Sequence, residues 1–68
     1  MKLYDFLNKA LTPVSDQRRG QRFANLLHAI DPTLANRLIA VDVDPFYDDS
    51  KLWSAVEFVK ANWEDKIE

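Results

Sequence analysis

Apolar residues recur along this chain at steps of three and four, and no clear strand pair or internal repeat interrupts them. Leu3, Phe6, Leu7, Ala10 and Leu11 fall on one side of a helix of about three turns. Thr12-Pro13 closes it, because a residue before proline is pushed out of helical geometry. Ser15 is then a good N-cap, and Asp16 in the first turn suits the helix dipole; Thr12 with Pro13 at the first helical position is the competing start. The second helix is therefore expected over Asp16 to Ile30, with Phe23, Leu26, Leu27 and Ile30 as its buried face. Gly20 borders that face on a helical wheel. A mid-helix glycine costs about 1 kcal/mol relative to alanine, so its position favours close approach of another backbone over an irregular first turn.

The third helix carries the strongest local start signal. Asp31 can cap, Pro32 suits the first helical position, and Leu34, Ala35, Leu38 and Ile39 supply a buried face before an end near Ala40 or Val41. The stretch Val41-Asp42-Val43-Asp44-Pro45-Phe46-Tyr47-Asp48-Asp49 alternates valine with aspartate and reads as extended, with Pro45 opposing helix at Asp44. Asp49 or Ser50 then caps a last helix reaching roughly Asp65. Leu52, Val56, Val59, Trp63 and Ile67 form its stripe, with Trp53 and Phe58 on opposite flanks. The expected architecture is all-α: one domain over residues 1–68, a compact bundle of three to four short helices.

Composition narrows the means of holding such a bundle together. At 68 residues the chain buries only about 60% of its unfolded surface. With no cysteine and one histidine it has neither a disulfide nor a structural zinc site to compensate. Stability must come from a well-packed core or from self-association, and 47% hydrophobic content with eight aromatic residues makes a core feasible. The first six residues lack the apolar run of a signal peptide, and nothing approaches a membrane span. A cytoplasmic protein is the expectation. The net charge of −2 conceals an asymmetry. Residues 1–37 sum to +3 and contain every arginine, whereas residues 38–68 sum to −5. The halves can attract each other, pair two copies head to tail, or present two different surfaces.

Catalytic chemistry has little to work with. No serine–histidine–acid or cysteine–histidine set can be assembled, and a single glycine excludes a glycine-rich phosphate loop. His28, off the apolar face of the second helix, reads as a partly exposed surface histidine. An EF-hand starting at Asp42 needs glycine at its sixth position and glutamate at its twelfth, and Tyr47 and Trp53 stand there instead. No enzyme activity, cofactor or metal is expected. Two binding features remain. Arg18, Arg19 and Arg22 form a basic cluster where cations oppose the helix dipole; phosphate contact is the functional reading, and a solvated face or salt bridges to the acidic second half is the favoured one. An isoelectric point near 5.2 and a thin third helix, with only Asn36 and Arg37 to read bases, make nucleic acid the lesser reading. Phe46, Tyr47 and Trp53, beside Asp44, Asp48 and Asp49, combine aromatic rings with a charged rim, as protein–protein hot spots do.

The run Gly20-Gln21 with Phe23, Asn25 and Leu26, then Asp31-Pro32-x-Leu34-Ala35, then Asp44-Pro45-Phe46-Tyr47-Asp48-Asp49 resembles small uncharacterised proteins of bacteriophages and some bacteria. In these a Gly-Gln helix, a Pro-x-Leu-Ala turn and an Asp-Pro-Phe-Tyr block occur in the same order. The likeness covers residues 20–53, about half the chain, and the Asp-Pro-Phe-Tyr block is its most distinctive part. It implies a phage-like or accessory origin and transfers no activity or binding residues.

These readings converge on a small interaction module that docks on another protein without chemistry of its own. It is expected to use the arginine cluster on one side and the acidic, aromatic Asp42–Trp53 segment on the other. A nucleic-acid accessory protein using Arg18, Arg19 and Arg22 is the alternative, and an obligate homodimer whose spare aromatics form interface core is a third reading.

Overall fold

Amphipathic stripes and capping chemistry build four α-helices and one 3₁₀ turn in the computed structural model, which describes residues 1–63. They are α1 (Leu3–Ala10), α2 (Arg19–Ile30), α3 (Pro32–Ala40), the 3₁₀ turn Asp49–Lys51, and α4 (Leu52–Asn62). The protein is a small all-α bundle, as the hydrophobic spacing predicts, and no helix among the described residues is long and apolar enough to cross a membrane. Its Cα radius of gyration, 10.9 Å, is that of a close-packed domain of this length.

An aromatic cluster joins three parts of the chain. The Phe6 ring of α1 meets Phe23 of α2 edge-on at 5.3 Å and stacks on Trp63 at 5.2 Å. Phe6 and Phe23 are fully buried, and Leu27, Leu34, Leu38, Leu52, Ala55, Val56 and Val59 complete the core around them. Burying one such side chain contributes about 1.5–3 kcal/mol. Trp63 reaches Phe6 because α4 stops at Asn62 and Trp63 is extended. The helical pattern instead carries α4 onward through Trp63; its proposed end at Asp65 and its stripe residue Ile67 lie outside the described residues.

Two helix starts differ from local expectation. Helix α2 begins at Arg19 rather than Asp16, because Val14 and Gln17 bridge across a tight turn that holds Ser15 and Asp16 at its tip. Ser15 is thereby spent in the turn, Arg18 stays extended, and no side chain from the preceding residues caps the helix. At the other end of the loop, Asp48 rather than Asp49 or Ser50 caps the 3₁₀ turn, accepting from the Ser50 N–H at 3.0 Å and from its hydroxyl. Helix α3 starts as its sequence dictates: Asp31 accepts from the Leu34 N–H at 3.1 Å, with Pro32 in the first turn.

Helix α3 ends in a two-bond closure. The Val43 N–H reaches the Leu38 carbonyl at 3.2 Å and the Asp42 N–H reaches that of Ile39 at 3.0 Å, with Asp42 left-handed at φ 61°. This is the Schellman arrangement, in which glycine usually occupies the left-handed place. Its side chain bonds Lys51 at 2.9 Å, which ties the two ends of the loop together. Ile39, expected in the buried face of α3, is 56% exposed. Leu34, Ala35 and Leu38 already fill the side facing α2 and α4, and Ile39 turns away beside the loop.

Candidate functional site

Gly20 is the point on which the loop is built. It is buried in the first turn of α2, and a Cβ placed there would lie 2.1 Å from the Pro45 carbonyl oxygen and 2.6 Å from Asp49 Oδ1. Only a residue without a side chain lets the loop lie on the helix at this distance. The Gly20 N–H donates to Asp49 Oδ1 at 3.0 Å. Helix α2 has no acidic residue in its first turn and no local side-chain cap, so a carboxylate from twenty-nine residues onward supplies both functions.

Arg18 reinforces the same junction. Its guanidinium donates to the Phe46 carbonyl and lies 3.6 Å from Asp49 Oδ1. The basic first half and the acidic second half therefore meet within one molecule at its surface, and Arg18 belongs to the acidic, aromatic face rather than to a separate one. The expected separation of the arginine cluster from the Asp42–Trp53 segment is corrected on this point. Arg22 is half-buried, with its Nε enclosed and unpaired among the described residues. Arg19 alone of the three is exposed without a side-chain partner among the described residues.

The loop between these anchors is short of freedom. Pro45 is buried, Asp44 accepts from the Phe46 N–H at 3.2 Å, and the Asp48 N–H reaches the Pro45 carbonyl at 3.2 Å. The Ser50 hydroxyl and N–H hold the Asp48 carboxyl below its ordinary value, and the bond to Asp42 raises the Lys51 ammonium above its own. On this pinned frame Phe46 is half-buried and Tyr47 is 88% exposed, their rings meeting edge-on at 4.6 Å. Trp53, 61% exposed, projects from the first turn of α4.

Beside Phe46 lies a cleft of about 120 Å³ that the sequence reading does not contain. Helix α2 contributes Ala24 and His28, α3 contributes Ala35 and Ile39, and the loop contributes Asp44 and Phe46. The available signal was the small residue at Ala24 one turn before His28, which leaves room where a larger side chain would close the gap. Ile39 and Phe46 both line the cleft, and Tyr47 meets Phe46 through its ring contact. Tyr47, Asp48 and Trp53 do not line the cleft, so only Asp44 and Phe46 of the sequence-derived site residues do. Comparison with known protein families, curated proteins and solved structures finds no match to this chain.

Proposed function

We propose that the chain is a protein-interaction module that docks on another protein through the face formed by Ile39, Asp44, Phe46, Tyr47 and Asp48, and that it performs no chemistry of its own. One observation carries this reading. Tyr47 stands almost wholly in solvent on a loop held by Gly20, Arg18, Asp44 and Asp48, so its exposure belongs to a fixed conformation and not to a loose end. Tyrosine presented on a rigid frame loses little entropy on binding, which is what an aromatic anchor at an interface requires. Asp44 and Asp48 beside it make no ion pair among the described residues, and they add the charge that steers an encounter with a basic partner. The carboxylates would occupy a site that otherwise receives phosphates, which fits an accessory protein of phage origin that modulates a host protein.

The test is affinity capture with three proteins: the parent, Tyr47→Ala and Arg19→Ala. A partner retained by the parent and by Arg19→Ala, lost with Tyr47→Ala, and weakened as salt rises supports the reading. Capture that ignores Tyr47, or that is insensitive to salt, overturns it. A gel shift abolished by Arg19→Ala assigns the chain to nucleic acid instead. A dimer in sedimentation that dissociates with Tyr47→Ala assigns the face to a second copy of the chain.

A further inference from the structure

The cleft between α2, α3 and the loop has a chemistry that names its occupant. Its floor includes the buried side chains of Leu27 and Leu38, and Ala24 and Ala35 leave the space above them open. A cavity of about 150 Å³ with such walls accepts a benzene ring, so the 120 Å³ here suits one branched aliphatic side chain. The rim is unequal in charge. Asp44 is the one acidic wall, Asp48 lies in the same loop, and no lysine or arginine lines the cleft. Arg18 is engaged by Asp49, and Lys51 bonds Asp42 and reaches Asp44 and Asp48 only through space, so neither of these carboxylates has an ion pair among the described residues. His28 and Asn25 of α2 also line the cleft as polar donors and acceptors, and neither hydrogen-bonds Asp44 among the described residues.

We infer that the cleft receives a leucine-like side chain from a partner segment whose neighbouring residues are lysine or arginine. This rests on the docking reading above and specifies its partner. The aliphatic group displaces water from Leu27, Leu38 and Phe46 while the flanking cations face Asp44 and Asp48. A segment of opposite charge gains the same apolar contact and loses the electrostatic one.

Three blocked tripeptides separate these contributions: Lys-Leu-Lys, Glu-Leu-Glu and Lys-Ala-Lys, each titrated into the full chain while amide chemical shifts are recorded. Saturable shifts at Ala24, Ile39 and Phe46 with Lys-Leu-Lys are expected. Exposed charge pairs are modest in strength, so the Glu-flanked peptide should bind weaker by about threefold or more. The alanine-centred peptide should lose the shifts at Ala24 and Ile39. Asp44→Asn keeps the oxygen that accepts from Phe46 and should shrink the preference between Lys and Glu flanks. Absence of saturable cleft shifts, equal binding of all three peptides, or preference for the Glu-flanked one overturns the inference. The two failures are distinguishable: a cleft that binds nothing leaves a Tyr47-dependent partner standing, whereas capture that ignores Tyr47 removes the docking reading itself.

Discussion

Replacing Gly20 by alanine opposes two effects of known size. Helix propensity favours alanine by about 1 kcal/mol in a helix interior. The new methyl would meet the Pro45 carbonyl oxygen at 2.1 Å and Asp49 Oδ1 at 2.6 Å, well inside contact distance. The Pro45 oxygen belongs to a buried backbone segment, so relief requires the loop to lift from α2. Overpacking of this kind costs about 1–3 kcal/mol. Lifting the loop also removes the Gly20–Asp49 bond, and hydrogen bonds to charged groups are worth about 1.5–3 kcal/mol, the lower end applying to a half-exposed carboxylate. The net expectation is a loss of roughly 1.5–3.5 kcal/mol, with propensity subtracted. A domain of this length has only about 3–10 kcal/mol in total. Urea unfolding followed by circular dichroism and tryptophan fluorescence measures the change. Ala29→Gly, at an exposed position of the same helix, supplies the propensity scale and should cost about 1 kcal/mol. A Gly20→Ala protein as stable as the parent, or more stable, would refute the account of the junction. So would unchanged amide shifts at Pro45's neighbours Asp44 and Phe46.

Other consequences follow from the same contacts. Asp49→Ala removes a helix cap and should cost about 1 kcal/mol, whereas Asp49→Asn keeps a capping oxygen and should cost only a few tenths; equal losses in urea would mean that charge, not capping, holds the loop. Asp42→Gly relieves a left-handed aspartate at the end of α3 but deletes an exposed ion pair, for a net gain of about 0.5 kcal/mol in the midpoint-derived stability; a net loss would show that the Lys51 contact dominates. Asp48 is held below its ordinary value of 3.8, so its contribution is complete above that pH and disappears as pH falls through the lower folded value. Ser50→Ala should move the Asp48 carboxyl titration, read by NMR, upward toward 3.8, and an unmoved titration would remove Ser50 as the cause. Lys51 is shifted the other way, so its contribution persists below 10.5 and fades as pH rises through the higher folded value; Asp42→Asn should lower that titration.

The helices themselves were legible because their signals are local. Stripes at steps of three and four identify α1, the interior of α2 and α3, and Asp31-Pro32 marks a helix start whose bond spans only three residues. The glycine in α2 also announced a close backbone, since a residue that weakens its helix beside an apolar face must serve a neighbour. The identity of that neighbour was not legible. Asp49 caps α2 across twenty-nine residues, and no spacing along the chain encodes that bond. At the start of α2 a local competitor intervenes: Ser15 has the right capping chemistry but is consumed by the Val14–Gln17 turn.

The candidate face divides in the same way. Composition identified Asp44, Phe46, Tyr47, Asp48 and Trp53 as a charged, aromatic segment with more rings than a small core can hide, and Tyr47 and Trp53 are indeed exposed. It also separated the charges into two halves. The charge split raised attraction between the halves, but not that Arg18 and Asp49 make the contact and turn part of the basic cluster into a clamp for the acidic loop. The cleft exists only because α2, α3 and that loop converge around two alanines. Residue type and periodicity are properties of a few successive positions, and they determined the helix interiors, the Asp31 cap and the surplus of aromatic surface. Convergence of distant positions depends on how the core closes around Phe6, Phe23 and Trp63, and tertiary packing alone decided which side chains face one another.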